Sequence, residues 1–216
     1  MSGLSMEFWH HRWETEQIGW HRHEFNDLMV KHWPSLGVSS NAEVLVPLCG
    51  KSLDMVWLAE QGHRVVGLEM VEHAVQSFFA ERSMQPERVE EQAVVRYEHT
   101  PFTLLQGDLF KVEPGRVQAD AWYDRAAMIA LPDAVRSAYV EQLRNQTKPG
   151  AVGLLITYAY PQHEMEGPPF ALHDEDVERF YADGFEVERL EHQTLEDERG
   201  RGLSSITTSV FKLTRT

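Results

Sequence analysis

From Glu43 onward, short apolar runs alternate with longer stretches in which apolar residues recur every three or four positions. The runs predict strands at 43–47, 64–69, 102–106, 120–124 and 151–158. The periodic stretches predict helices at 53–61, 71–83, 133–146 and 173–182. Strands that alternate with helices imply an α/β fold, with a mostly parallel sheet covered on both faces. Ahead of this unit lies an aromatic, helical section running to about Leu36. It carries Phe8, Trp9, Trp13, Ile18 and Trp20, then Leu28, Met29 and Trp33, with Asn26 or Asp27 placed to start its second helix.

The tail departs from simple alternation. Phe185–Leu190 and Ile206–Leu213 read as two strands joined by the charged loop Glu196-Asp197-Glu198-Arg199-Gly200-Arg201-Gly202, a hairpin that adds an antiparallel edge. Residues 84–101 form an excursion in which Val94, Val95 and Tyr97 suggest a strand that pairs back on 102–106. No repeat, low-complexity tract or flexible linker divides the 216 residues. One domain over 1–216 is therefore expected, with 1–36 as a helical N-terminal part and 43–216 as the α/β core.

The first strand delivers Val44-Leu45-Val46-Pro47-Leu48-Cys49-Gly50-Lys51-Ser52, and the second ends on Val65-Val66-Gly67-Leu68-Glu69. Strand, tight loop, helix and strand closed by an acid make up the first half of a Rossmann-type nucleoside site. Gly50 lets backbone approach a ligand, and a carboxylate about 20 residues further on can accept hydrogen bonds from a ribose. Two phosphate-binding readings fail on spacing. A P-loop ending in Gly50-Lys51-Ser52 would need glycine at Leu45, and the three-glycine dinucleotide pattern would need it at Leu48 and Leu53. A single glycine suits a cofactor without pyrophosphate, of which S-adenosylmethionine is a common example. An ordinary strand-to-helix turn accounts for the loop as well.

Five blocks narrow the choice. They are Phe8-Trp9-His10-His11-Arg12-Trp13, Gln17-Ile18-Gly19-Trp20-His21, Val46 to Asp54, Tyr123-Asp124-Arg125-Ala126-Ala127 and Gly167-Pro168-Pro169-Phe170. In this order they resemble the bacterial thiopurine S-methyltransferases, from about Phe8 to the end of the chain. The resemblance implies a Class I methyltransferase sheet whose last strand inserts antiparallel, with the N-terminal segment closing over the cofactor as a cover. It implies S-adenosylmethionine held by Trp13, Leu48, Gly50, Glu69, Asp108 and Arg125. It also implies an acceptor met by Trp20, Arg125, Pro169 and Phe170.

Each of these residues has a plainer alternative. Asp108, in Gly107-Asp108-Leu109-Phe110, serves equally as a helix N-cap. Asp124 and Arg125 could form a surface ion pair. Arg125 cannot be a base, because a guanidinium does not deprotonate. Tryptophan faces attract a cationic sulfonium, yet Trp9 and Trp13, four apart, would equally form the buried stripe of an amphipathic helix.

Composition adds exclusions. Apolar residues make up 42% and charged residues 25%, ordinary for a soluble globular chain. The formal charge of −14, from 20 basic and 34 acidic residues, disfavours a nucleic-acid partner. No apolar run is long enough to span a membrane, and the N-terminus has no signal-peptide core. A lone Cys49 excludes an internal disulfide and, with no CxxC pair, gives no sign of zinc. His10, His11, His21, His23 and His32 crowd one region without a metal-binding spacing. A cytoplasmic, monomeric enzyme without metal is expected.

These readings converge on an enzyme that transfers a methyl group from S-adenosylmethionine to sulfur in small aromatic or heterocyclic thiols. The resemblance extends this to detoxification and to selenium or tellurium species. Two rivals remain at this stage, a nicotinamide-dependent oxidoreductase and a non-catalytic nucleoside-binding module.

Overall fold

A computed structural model describes residues 5–197 and 200–216. Glu198 and Arg199 of the charged loop lie outside the described residues. The strands are β1 (Glu43–Pro47), β2 (Arg64–Glu69), β3 (Glu87–Glu90), β4 (Val95–His99), β5 (Phe102–Gln106), β6 (Ala119–Arg125), β7 (Thr147–Ile156), β8 (Phe185–Leu195) and β9 (Ile206–Arg215). The helices are α1 (Met6–Glu14), α2 (Asp27–His32), α3 (Asp54–Glu60), α4 (Glu72–Ala80), α5 (Asp133–Gln146) and α6 (Asp174–Phe180).

All nine strands join one sheet in the order β3-β4-β5-β2-β1-β6-β7-β9-β8. The central five, β5-β2-β1-β6-β7, run parallel, and β9 inserts antiparallel between β7 and β8. This is the mostly parallel sheet with an antiparallel C-terminal strand that the patterning and the resemblance implied.

Strand residues alternate between two cores, as period-two side chains must. Leu45, Val66, Leu105, Trp122 and Leu155 pack with Tyr139, Val140 and Leu143 of α5 and with Val177 of α6. Val44, Val46, Val65, Leu104, Tyr123 and Leu154 face the other way, toward Met29 of α2, Met55 and Leu58 of α3, and Val75, Phe78 and Phe79 of α4. Helices therefore cover both faces. Truncating a buried leucine such as Leu45, fully enclosed, to alanine would cost about 2–5 kcal/mol.

Element ends shift from expectation for local reasons. α3 begins at Asp54, after an uncapped Leu53, and α4 begins at Glu72, because Val71 is still extended. β7 starts four residues early, at Thr147, which pairs with Ala119 ahead of a register shift. The excursion is a hairpin of two strands, and β3 (Glu-Arg-Val-Glu) went unpredicted because it is an exposed, charged edge with no apolar rhythm. Asn26 does start α2: its side chain accepts from the Met29 N–H at 3.0 Å.

Candidate active site

The chain leaves β1 for β2 on one side, while β6 lies on the other, so the crevice beyond the ends of β1 and β6 is a topological switch point. A cleft of about 870 Å³ opens there, within the size range of small-molecule sites.

Its floor is the β1 loop. Leu48 (φ +46°) and Gly50 (φ +52°) are both left-handed, as is Ala126 (φ +69°) just after β6, and all three line the cleft. A left-handed non-glycine residue costs roughly 1–2 kcal/mol, and such strain tends to collect at functional sites.

Glu69 ends β2 and is 7% exposed. Its Oε2 accepts from the Gly50 N–H and its Oε1 from the Val71 N–H, each at 2.8 Å. The carboxylate thus ties the β1 loop to the start of α4. Burial pushes its pKa up, against the pull of the backbone N–H groups of Val71, Gly50 and Met70. An ionised carboxylate has about four acceptor sites, so two bonds leave capacity facing the cleft.

Asp108 follows β5. Its Oδ1 accepts from the Phe110 N–H at 3.0 Å, so it caps the short 3₁₀ turn Leu109–Lys111 while lining the cleft. The capping alternative is realised, on a 3₁₀ turn.

At the end of β6 the surface-pair alternative fails. Asp124 is fully buried and accepts from the Tyr139 hydroxyl at 2.6 Å and from the Met128 N–H at 3.2 Å. Desolvation raises its pKa to about 6, countered by those two donors. Arg125 is half-buried on the cleft wall, and no carboxylate pairs with it among the described residues.

The N-terminal segment forms one side of the cleft. Trp13, 5% exposed, packs on Val71 and Ala74 at the start of α4, with Trp9, Ile18 and Trp20 around it. Trp20 meets Trp9 and Trp13 edge-on, with centroids 5.5 and 6.1 Å away. Gly50 is close to backbone-intolerant for a second reason: an added Cβ would stand 3.0 Å from the Trp13 ring. The glycine makes room for Trp13, which the sequence reading did not foresee. No group of three or more His, Cys, Asp or Glu side chains that could hold a metal occurs among the described residues.

Opposite, Pro168 and Pro169 line the cleft, and Tyr160 Oη donates to the Pro169 carbonyl at 2.6 Å. Phe170 corrects the expectation. Its ring lies over Gly167, where an added Cβ would be 2.7 Å away, and it lines a separate small hollow with Arg136 and His173. Its N–H donates to the Ile129 carbonyl at 2.6 Å, so Phe170 braces the loop instead of facing the cleft.

Asp54 was missed. Only 2% exposed, it accepts from the Asn26 N–H and from the Tyr123 hydroxyl, both at 2.9 Å, and so joins the N-terminal segment to the end of β6. The signal was present in the third block, where an acid follows the loop, but its partners come from 28 and 69 residues away.

A family model described as thiopurine S-methyltransferase matches residues 4–216. The chain belongs to the thiopurine S-methyltransferase family. A thiopurine S-methyltransferase of Shewanella woodyi is 44% identical over 98% of this chain and 99% of its own length. One from Pseudomonas aeruginosa strain PAO1 is 44% identical over 87% of each chain. Among solved structures, a Burkholderia thailandensis 1,6-didemethyltoxoflavin-N1-methyltransferase, with 1,6-didemethyltoxoflavin and S-adenosylhomocysteine bound, superposes with TM-score 0.69 at 14% identity, covering 98% of this chain and 87% of that one. A S-adenosylmethionine-dependent methyltransferase of Methanosarcina mazei gives 0.63 at 15%, covering 89% and 98%. The chain is therefore a methyltransferase with the sheet of that fold, and the oxidoreductase and non-catalytic readings fall away. No helix among the described residues is long and apolar enough to cross a membrane.

Proposed function

We propose that this enzyme methylates the sulfur of small aromatic or heterocyclic thiols such as thiopurines, with S-adenosylmethionine as donor. The observation that carries the reading is Glu69, a buried carboxylate with unspent acceptor sites at the switch point, facing a cleft that also holds Arg125, which pairs with no carboxylate among the described residues. The residues fit the donor. Glu69 accepts the ribose hydroxyls as charge-assisted bonds, Leu48 and Gly50 supply the loop backbone, Asp108 borders the base, and Trp13 closes the site and excludes water.

When bound, the donor supplies a methyl group on a sulfonium, already activated toward a nucleophile. The protein's work is then alignment and dehydration, effects that can lower a barrier by several kcal/mol. A thiolate is a good nucleophile, and the cleft needs no strong base. Arg125 steadies a thiolate or polarised acceptor through its planar fork, while Trp20 and Pro169 flank it; Phe170 contributes only through the loop it braces. Selenium and tellurium nucleophiles, softer than sulfur, suit the same cleft. Detoxification and a cytoplasmic location extend this reading, and the single buried Cys49 is at home in a reducing compartment.

Methyl transfer to 6-mercaptopurine, followed as the S-methyl product, tests the reading. A folded protein that binds S-adenosylhomocysteine but forms no S-methyl product from any aromatic thiol would overturn it.

A further inference from the structure

The wall of the cleft formed by β8 and β9 is built in rungs. Gln193 stands opposite Thr208 and Leu195 opposite Ile206, and all four line the cleft, so a polar rung adjoins an apolar one. On the polar rung, the Thr208 hydroxyl proton and one of the two Gln193 amide hydrogens are already engaged. Thr208 Oγ1 gives its proton to the Thr157 carbonyl at 2.7 Å, which leaves the hydroxyl its lone pairs. Gln193 Nε2 donates to Glu191 Oε1 at 2.5 Å.

A carboxylate only accepts, so chemistry fixes which end of the Gln193 amide faces Glu191. Glu191 is itself pinned from α2, by Lys31 Nζ at 2.9 and 2.7 Å to its two oxygens and by His32 Nε2. Those bonds, Lys31's first, hold its carboxyl down to about 2, so it stays anionic at any working pH. The amide oxygen of Gln193 is left without a donor among the described residues.

We propose that Gln193 and Thr208 are specificity-determining residues that select acceptors carrying a ring N–H beside the carbon–sulfur group, the thioamide-like heteroaromatic thiones, over thiols that lack one. Glu191 is the positioning residue that keeps the amide oxygen available. The amide oxygen of Gln193 and the lone pairs of Thr208 Oγ1 are acceptors, so together they satisfy a donor edge and give nothing to a bare hydrocarbon ring, which leans on Leu195 and Ile206 instead. The proposal rests on the reading of the cleft as an S-methylation site.

The test compares kcat/KM for 6-mercaptopurine, which has such an N–H in its thione form, with thiophenol, which has none. Loss of one neutral hydrogen bond corresponds to roughly 2- to 13-fold. Gln193→Met, close in size but lacking the oxygen, and Thr208→Val should each lower the 6-mercaptopurine value by that much and leave thiophenol within about twofold. Glu191→Gln, which frees the amide to turn over, should move the ratio of the two substrates the same way, an effect a merely structural role would not produce. Equal falls for both substrates, or an unchanged ratio in all three variants, would overturn the proposal. Parent enzyme that binds S-adenosylhomocysteine yet methylates neither compound would overturn the S-methylation reading beneath it, and the proposal with it.

Discussion

The ring of Trp13 fills the space that a side chain on Gly50 would occupy, its Cζ2 atom 3.0 Å from where the Cβ would stand. Cover and loop are therefore fitted to each other. Gly50→Ala should lose about 1–2 kcal/mol of stability from its left-handed backbone alone, plus whatever displacing Trp13 costs. In a double-mutant cycle with Trp13→Ala, read by urea unfolding, the second part should vanish. Strict additivity of the two changes would dissociate them.

Glu69→Ala should weaken S-adenosylhomocysteine binding by roughly 1–3 kcal/mol, about 5- to 150-fold, measured by calorimetry. It should also lower stability, since the Gly50 and Val71 N–H groups lose their acceptor. Because burial raises the Glu69 pKa, affinity should begin to fall with acidification at a higher pH than an ordinary glutamate would give. Affinity unchanged in a folded variant would remove Glu69 from the site.

Asp124 sets a pH dependence of the opposite kind from a salt-bridged acid. Its pKa rises from 3.8 unfolded to about 6 folded. Between those values the native state holds the extra proton, so this contribution is fully present below about 4 and is lost as pH rises through 6. The shift corresponds to something on the order of 3 kcal/mol. Stability curves of the parent minus those of Asp124→Asn, from pH 4 to 7, should decline across that window. A flat difference would contradict the assignment.

Arg125→Lys keeps the charge but loses the planar fork. At saturating cofactor, turnover or acceptor affinity should drop while the melting temperature hardly moves, because Arg125 has no partner among the described residues to lose. Parent-like kinetics would make the residue peripheral.

Removal of residues 1–23 should spare both large cores, because Trp13, Trp9 and Trp20 belong to a small separate cluster on α4. Circular dichroism should persist while methyl transfer is lost. Trp13 is buried against Val71 and Ala74, so hydrogen exchange should show partial protection of residues 8–14 before ligand is added and a further gain with S-adenosylhomocysteine. An unfolded truncate would make these tryptophans part of the core.

What was legible in the chain followed from local rhythm. β1, β2 and β5 appear at their predicted bounds because buried parallel strands announce themselves as apolar runs. Leu48, Gly50, Glu69, Asp108 and Arg125 meet because each stands at or just beyond the carboxyl end of a strand. β3 was hidden, since its exposed Glu87, Arg88 and Glu90 carry no alternation. Phe170 misled because its place in a block said nothing of ring direction, which Gly167 decides. The Gln193–Thr208 rung requires strand register, and the Asp54 contacts require tertiary distance; neither is written in spacing.

The two outermost strands carry charge along their open sides. β3 ends the sheet with exposed Glu87, Arg88 and Glu90, and β8 with exposed Glu186, Glu188 and Arg189. Another strand added at either margin would bring its own backbone against these ions and strip them of water. Charged edges of this kind guard against uncontrolled stacking of one sheet onto the next. The nine-stranded array thus terminates itself chemically at both margins, and a crowded solution of this enzyme should resist fibrillar growth for that reason.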